Sequence, residues 1–513
     1  MQENVAGTGF GKPALKLSRF FDAIHGDEDV PVFRWYLDGQ WKEAPAGRTQ
    51  NVETPIDGST IARVYRGTEA DVGSAIDAAT ASQKRIRSLA AIERIEMFRT
   101  AAEIVTSKKT DFEETLVLEA GKTRGDAAGE VKATIERMQM TMEEARKIFG
   151  DYIPGDWSED TRGKVALVIH EPVGVVGAIG PFNFPLYITA AKIIPALLSG
   201  NSIIVKPASK TPLSQLLFAR VLQEAGIPAG TISVVTGPGK IATQLASSPR
   251  VGVVSFTGST EVGKLLNQAS SVKPLHLELG GKGFAIVLDD ADIALSAERC
   301  VMGSLKYSGQ RCDAVSAVLV QDEVADGLVA AMTTEVDKWK MGDPRDPTVK
   351  MGPVINREAA ERIAGLVDDA VAKGARLVRG GGHRNCYFEP TLLDSVTQDA
   401  RILWEETFGP VVTVVRVKDE AEALDITSRS RYGLDSCVFT NSLYRMWRVA
   451  KSVRAGGVTV NDLPRHGVGF FPFGGVKDSG MGREGIGYSI DEMTVLKTIV
   501  INIEPAGLGK TMR

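Results

Sequence analysis

The sequence predicts an α/β protein built around a parallel sheet of the nucleotide-binding kind, followed by a second α/β segment. Three observations carry that reading. Between residues 173 and 279, five short apolar runs alternate with helical periodicity, and strand, helix, strand in that order gives a parallel sheet with helices on its faces. The chain has 513 residues, past the size at which one core stops growing, so two or three domains are expected. Hydrophobic residues make up 43% and charged residues 24% of it, the balance of a folded globular protein rather than a disordered or fibrous one.

From about residue 70 to 147, Ala, Ile, Met and Leu recur at three- and four-residue spacing among Lys, Glu and Arg, the pattern of amphipathic helices. The mixed charges of 108–114 and 130–147 read as solvated helix faces. The helical period ends at Gly150-Asp151-Tyr152-Ile153-Pro154-Gly155, and Lys164 to His170 alternates like a strand, so a hairpin or arm is expected there. The strands of the parallel sheet follow at 173–179, 202–205, 232–235, 251–256 and 275–279, with helices at 190–198 and 213–225 between the first three. A second α/β segment runs from Gly280-Gly281 to about Gly485, and the tail closes with an apolar strand, Thr498 to Ile503. Such a strand needs a sheet edge, which another subunit could supply.

The formal net charge is -4, so no global basic field exists to recruit nucleic acid or an anionic membrane, and any anion must be bound locally. No apolar run approaches the ~20 residues that cross a bilayer, and the N-terminus lacks the apolar core of a secretory signal. A cytoplasmic protein is expected. Four cysteines, Cys300, Cys312, Cys386 and Cys437, are too sparse and too unevenly spaced for a disulfide framework or a metal site, so they should be free thiols.

One of them stands in a reactive setting. Tyr307-Ser308-Gly309-Gln310-Arg311-Cys312 places a cysteine in a Gly-containing turn directly before an apolar strand. Alone, a cysteine is most often a small buried hydrophobe. Here Gly309 permits close backbone approach, and adjacent Arg311 favours the thiolate that attacks carbonyls. In Leu277-Glu278-Leu279-Gly280-Gly281-Lys282 a carboxylate closes an apolar strand before paired glycines. It reads either as an exposed strand-end charge or as a general base whose pKa an apolar site has raised. In Gly180-Pro181-Phe182-Asn183-Phe184-Pro185 the first strand of the sheet turns into a helix. That loop reads equally as a rigid connector or as a ligand-binding turn in which the Asn183 amide donates to a developing oxyanion.

Taken together, Asn183 in its PFNFP loop, Lys206-Pro207, Phe256-Thr257-Gly258-Ser259, Glu278 in LELGGK, Gly309-Gln310-Arg311-Cys312 and Glu406 in EETFGP resemble the aldehyde dehydrogenase superfamily, in order and spacing, from about residue 32 onward. The resemblance implies an aldehyde dehydrogenase fold. It comprises a Rossmann-like cofactor domain (32–147 and 171–279), an α/β catalytic domain (280–488) and a small β oligomerisation arm (148–170 and 489–513) that builds a homodimer or homotetramer, after an N-terminal extension (1–31). It also implies roles. Cys312 adds to a small-molecule aldehyde, the Asn183 amide and the Cys312 N–H hold the oxyanion, hydride passes to NADP or NAD, and Glu278 activates the water that hydrolyses the thioester. Lys206 and Glu406 hold the two riboses, Gly237 and Ser259 lie around the adenine and pyrophosphate, and Ile179, Gly180, Pro181, Phe182 and Phe408 complete the cofactor site. NAD-preferring members commonly carry Glu where this chain has Ser209, so a 2′-phosphate is admitted and NADP is expected beside NAD.

Within the superfamily, the stretches Gly150 to Trp157, Gly309 to Ala314, Asn461 to Gly467 and Phe471 to Ile490 resemble non-phosphorylating glyceraldehyde-3-phosphate dehydrogenases, especially archaeal-type ones. In that case Arg311, and Arg465 or His466, contact the substrate phosphate. Many of those enzymes have Tyr where this chain has Phe184, which keeps another small anionic or hydroxylated aldehyde open. A coenzyme A-acylating enzyme is disfavoured by Glu278. A non-enzymatic relative is disfavoured by the intact set of Asn183, Glu278 and Cys312.

Overall fold

The computed structural model describes residues 10–503; residues 1–9 of the expected extension and 504–513 of the expected arm lie outside them. The expected parallel strands form at Val175–Ile179, Ser202–Lys206, Ile232–Val234, Val253–Thr257 and Leu275–Glu278. Their spatial order places Val175–Ile179 between Val253–Thr257 and Ser202–Lys206, with Leu275–Glu278 and Ile232–Val234 outside these. Val175–Ile179, at the centre, is apolar without alternation because both faces are covered, whereas Leu275–Glu278 alternates leucines with His276 and Glu278. Val176, Ala178, Ile203 and Val205 enter one core, while Val175, Ile179 and Ile204 enter the other.

Two antiparallel pieces extend this sheet beyond the expected boundaries. Trp35–Leu37 and Gln40–Lys42 add to the Ile232–Val234 edge, and Gly480–Met481 pairs with the other edge, setting Gly480 opposite Glu278. Residues 480–481, read as part of the second segment, therefore close the first sheet beside Glu278. The second sheet has seven strands in the order 376–379, 391–394, 411–417, 315–321, 283–287, 435–439, 457–460, parallel except at the first edge.

The hairpin and the tail meet in a third sheet. Thr494–Asn502 runs antiparallel to Lys164–Pro172 over nine residue pairs, and Asp151–Pro154 covers that strand's other side. The partner edge for the terminal strand is thus supplied by the same chain. The segment before residue 32 is packed in as well: Phe21 and Ile24 are fully buried, and Ser18 donates from both N and Oγ to Asp111, at 2.6 and 2.8 Å.

Helices account for a correction to the charge reading. Glu130 and Arg137, assigned to a solvated face, are buried in the helix Arg124–Ala145. Glu130 Oε1 accepts from the Leu186 and Tyr187 N–H groups, 3.0 Å each, at the start of the helix Pro185–Leu198. Glu119 does the same for Leu213 and Ser214. Helix N-termini attract negative charge, so a carboxylate buried there is compensated. Among the described residues, no helix is long and apolar enough to cross a membrane.

Candidate active site

The parallel strands end together, with Ile179 opposite Lys206 and Thr257 opposite Glu278. Past Ile179 the chain turns sharply. Gly180 N–H donates to the Lys206 carbonyl at 3.1 Å, and a Cβ at Gly180 would overlap Thr189 Oγ1. Asn183 is buried in this turn, its Nδ2 donating to the Gln310 carbonyl at 3.0 Å while its Oδ1 accepts from Phe184 N–H. An amide nitrogen has two hydrogens, so one donor ties the loop to the cysteine turn and one remains.

The cysteine turn is left-handed over three successive residues, Tyr307 (φ 52°), Ser308 (φ 53°) and Gly309 (φ 69°). Two of these are not glycine, at a cost of about 1–2 kcal/mol each, so the turn must be held from outside. Tyr307 Oη donates to the Ala120 carbonyl at 3.2 Å, Ser308 Oγ to the Gly352 carbonyl at 2.7 Å, and Gln310 Oε1 accepts from Ile355 N–H at 2.7 Å. At Gly309 a side chain would also overlap the Gly409 carbonyl oxygen. Lys122, fully buried, braces the same turn: its Nζ lies 3.8 Å from the Phe184 ring centre, 3.7 Å from that of Tyr307 and 3.1 Å from Glu130 Oε2.

Cys312 follows this turn. Its N–H donates to no protein acceptor among the described residues, which leaves it for an oxyanion. Arg311 acts favourably on a Cys312 thiolate, but its Nε and Nη2 also grip Asp313 at 3.0 and 2.9 Å, and that carboxylate opposes the thiolate. Burial, then Asp313, Glu278, Asp435 and Glu406, push the Cys312 thiol well above its ordinary value. This direction favours the thiol over the thiolate in the free enzyme, although Cys312 is only half-buried on the cavity wall. Alkylation of Cys312 by iodoacetamide is expected to be slow at pH 7 and to rise through the alkaline range, about tenfold per unit below the thiol pKa. A rate already flat at neutral pH, followed by mass spectrometry of the modified peptide, would show a resting thiolate.

Glu278 ends its strand buried, not exposed: it is 2% accessible. Oε1 lies 3.0 Å from His276 Nε2, and Oε2 has no partner among the described residues. Burial, then the nearby Glu484, raises its carboxyl well above the usual range, which suits a group that must take a proton from water near neutral pH.

The expected cofactor residues gather in separate small groups at the same sheet ends. Lys206 Nζ donates to the Pro207 carbonyl at 2.9 Å and reaches Ser209 Oγ at 3.5 Å; Ser209 Oγ donates to the Gly237 carbonyl at 2.8 Å. Burial brings Lys206 down to about 8. Ser259 caps the helix Thr260–Ala269, its Oγ accepting from Val262 N–H at 3.4 Å, and free N–H groups of such a helix start suit a phosphate. Glu406 Oε1 accepts from Gly281 N–H at 2.9 Å, and Phe182 meets the Phe408 ring edge-on at 5.7 Å. The residues therefore fit a dinucleotide, with a hydroxyl rather than a carboxylate at Ser209. Ser209→Glu is expected to weaken NADP binding far more than NAD binding, because a carboxylate repels a 2′-phosphate and accepts from a 2′-hydroxyl. Equal loss of both in a titration would show that residue 209 does not face the ribose.

Beside Cys312 lies a cavity of about 460 Å³ lined in part by Glu278, Arg311, Arg465, His466 and Arg137. Asn183 is tied to the cysteine turn through the Gln310 carbonyl. All three residues expected to bind an anion already have a carboxylate partner. Arg311 is held by Asp313. His466 Nε2 lies 2.9 Å from Asp435 Oδ1, a contact that raises the imidazole despite burial. Arg465 is half exposed, with Asp462 at 3.4 Å. The residue missed by the sequence reading is Arg137. It is 1% accessible, its Nη1 donates to the Val468 carbonyl at 3.0 Å, its charge acts on the Tyr187 hydroxyl and the Glu484 carboxylate, and its Nε and Nη2 make no hydrogen bond among the described residues. A buried guanidinium with donor capacity left on a cavity wall suits an anionic or hydroxylated ligand. In the sequence its only trace is a seven-residue offset from Glu130, which puts both on one helix face.

The NADP-dependent glyceraldehyde-3-phosphate dehydrogenase of Streptococcus equinus is 37% identical over 473 residues, covering 92% of this chain and 99% of the relative. The crystal structure of the enzyme of that name from Bacillus halodurans C-125, complexed with NADP, superposes with a TM-score of 0.90 at 38% identity over 92% of this chain and 99% of that one. The glyceraldehyde-3-phosphate dehydrogenase of Methanocaldococcus jannaschii DSM 2661, also complexed with NADP, gives 0.85 at 33% identity over 89% and 100%. Residues 41–499 match the aldehyde dehydrogenase family, and with the strand ends, the cysteine turn and the buried carboxyl in place, this chain belongs to that family.

Proposed function

We propose that this protein oxidises glyceraldehyde 3-phosphate to 3-phosphoglycerate with NADP, without phosphorylation, through a thioester on Cys312. The observation that carries the substrate reading is the buried Arg137 guanidinium on the wall of the Cys312 cavity, whose Nε and Nη2 make no hydrogen bond among the described residues, joined to the likeness to the enzymes named above. Cys312 gives up its thiol proton to solvent water in the cavity, its Sγ adds to the carbonyl carbon, and the Cys312 N–H and the remaining Asn183 Nδ2 hydrogen donate to the oxygen as it becomes an oxyanion. Bound NADP supplies the hydride acceptor. Glu278 then takes a proton from the water that attacks the thioester. Lys206, Ser209, Gly237, Ser259 and Glu406 hold the dinucleotide, and Ile179 to Phe182 with Phe408 shape its site. Free cysteines suit a cytoplasmic setting. The arm sheet leaves Tyr152, Leu167, Leu496 and Val500 exposed, apolar cover that a second copy of the chain would bury on forming a dimer or tetramer.

The test is selectivity. Arg137→Leu is expected to lower kcat/KM for glyceraldehyde 3-phosphate by about ten- to a hundredfold and to leave propanal nearly unchanged, since hydrogen bonds to a charged group contribute ~1.5–3 kcal/mol. Arg311→Leu should affect both aldehydes alike, because its guanidinium is held by Asp313. A selective loss at Arg311 with none at Arg137 would reverse these roles. A wild-type enzyme indifferent to the phosphate would end the substrate assignment.

A further inference from the structure

His276 and Glu278 stand two residues apart on the strand Leu275–Glu278 and so share one face of the sheet. His276 Nε2 lies 3.0 Å from Glu278 Oε1, and on the far side of the ring Nδ1 lies 3.3 Å from Glu492 Oε2 and 3.2 Å from Ser255 Oγ. Glu492 Oε1 in turn accepts from Arg483 N–H at 2.9 Å. Its side chain is 27% exposed, whereas those of His276 and Glu278 are 4% and 3% exposed. The row thus runs from the buried carboxyl to solvent. Two glycines clear its path. A Cβ at Gly474 (φ 154°) would come within 2.8 Å of Glu278 Oε1, and one at Gly482 (φ 85°) within 2.9 Å of His276 Cδ2.

We propose that His276 and Glu492 are positioning residues for Glu278: the imidazole links the two carboxyl groups so that they hold one proton between them, and Glu492 governs when Glu278 is an ionised base. The inference rests on the reading of Glu278 as the base for thioester hydrolysis.

Burial holds His276 neutral, its pKa lowered to about 3, so the ring carries one proton, on Nδ1 or on Nε2. In one arrangement Nδ1–H donates to the Glu492 carboxylate and bare Nε2 accepts from the Glu278 carboxyl O–H. In the other, Nε2–H donates to the Glu278 carboxylate and bare Nδ1 accepts from the Glu492 carboxyl O–H. The two interconvert by moving two protons along the row, one across the His276–Glu278 hydrogen bond and one across the 3.3 Å approach of Nδ1 to Glu492, with no change in total charge. Only the second leaves Glu278 ionised, with its unpartnered Oε2 available to water. Glu492 is raised by burial to about 7, so its share of the proton changes near neutrality. Lys192, Glu484 and Arg483 also act on His276 and Glu278 and form the fixed background to this exchange.

The test is the pH profile of steady-state turnover after the initial burst of reduced cofactor, measured on the full-length enzyme. Turnover falls on the acid side as Glu278 takes up a proton. Glu492→Met removes a negative charge, so Glu278 ionises more easily and the acid limb should move to lower pH. His276→Leu removes the ring donor, so the limb should move to higher pH and hydrolysis should slow about tenfold. Burst size should persist in both, since acylation precedes hydrolysis. In the His276→Leu background, Glu492→Met should move the limb less than it does alone; an equal movement in both backgrounds overturns the link. If His276→Leu does not fold, His276→Gln supplies the second background, and the same comparison decides. Glu278→Gln separates the two layers of the argument. Wild-type hydrolysis in that variant overturns the underlying reading, whereas slow hydrolysis beside an unmoved Glu492→Met profile overturns the coupling alone.

Discussion

Cys312→Ala is expected to lose aldehyde oxidation by about four orders of magnitude or more, while NADP still binds with near wild-type affinity in a calorimetric titration. Removing a nucleophile abolishes the covalent route and leaves only what positioning can do. The dinucleotide groups are built elsewhere: Lys206 and Ser209 follow the strand Ser202–Lys206, Ser259 starts a helix, and Glu406 is held by Gly281 N–H. None of their hydrogen bonds uses the cysteine side chain. The left-handed turn is also independent of it, being anchored through Tyr307, Ser308 and Gln310. Substantial residual turnover would remove Cys312 from the mechanism, and loss of cofactor binding would show that the thiol supports the dinucleotide site.

The parallel sheet was legible because its strands are buried on both faces, so that runs such as Val175–Ile179 carry only apolar residues and glycine. The pieces that escaped are short or depend on distant partners. Gly480–Met481 is a two-residue strand whose existence rests on Leu277 and Glu278 across the sheet edge. Gly309 marked the cysteine turn, but nothing local shows that Tyr307 and Ser308 are left-handed too; the carbonyls of Ala120 and Gly352 that hold them lie 187 and 44 residues away.

Charge was the least legible property. Arg311 stands two residues from Asp313, close enough in sequence for the ion pair to be read, and that carboxylate opposes the expected effect on Cys312. His466 finds Asp435 over 31 residues, a contact only the fold can make. Arg137 belongs to a helix whose composition is that of a solvated face, and it is buried because the Val468 carbonyl and the cavity meet it there. Counting charges along a helix does not show which one points inward; burial does.

Glu278→Gln is expected to give a burst of reduced cofactor near one equivalent per subunit, followed by a steady state about a hundredfold or more slower than wild type. The amide keeps the shape of the carboxyl but cannot take a proton, so acylation and hydride transfer proceed and hydrolysis of the thioester stalls. The direction of the pH effect follows from burial. Because the folded carboxyl is raised well above its ordinary value, Glu278 is ionised only above that raised pKa, and wild-type hydrolysis should fall as pH drops through it; the slow rate of the variant should lack that acid limb. Glu278 also lies close enough to raise the Cys312 thiol, and removing its charge lowers that barrier to thiolate formation. The burst should therefore be no slower than in wild type at alkaline pH, as rapid-mixing absorbance would record. A variant that loses burst and steady state together would place Glu278 at the first proton transfer, from Cys312 itself.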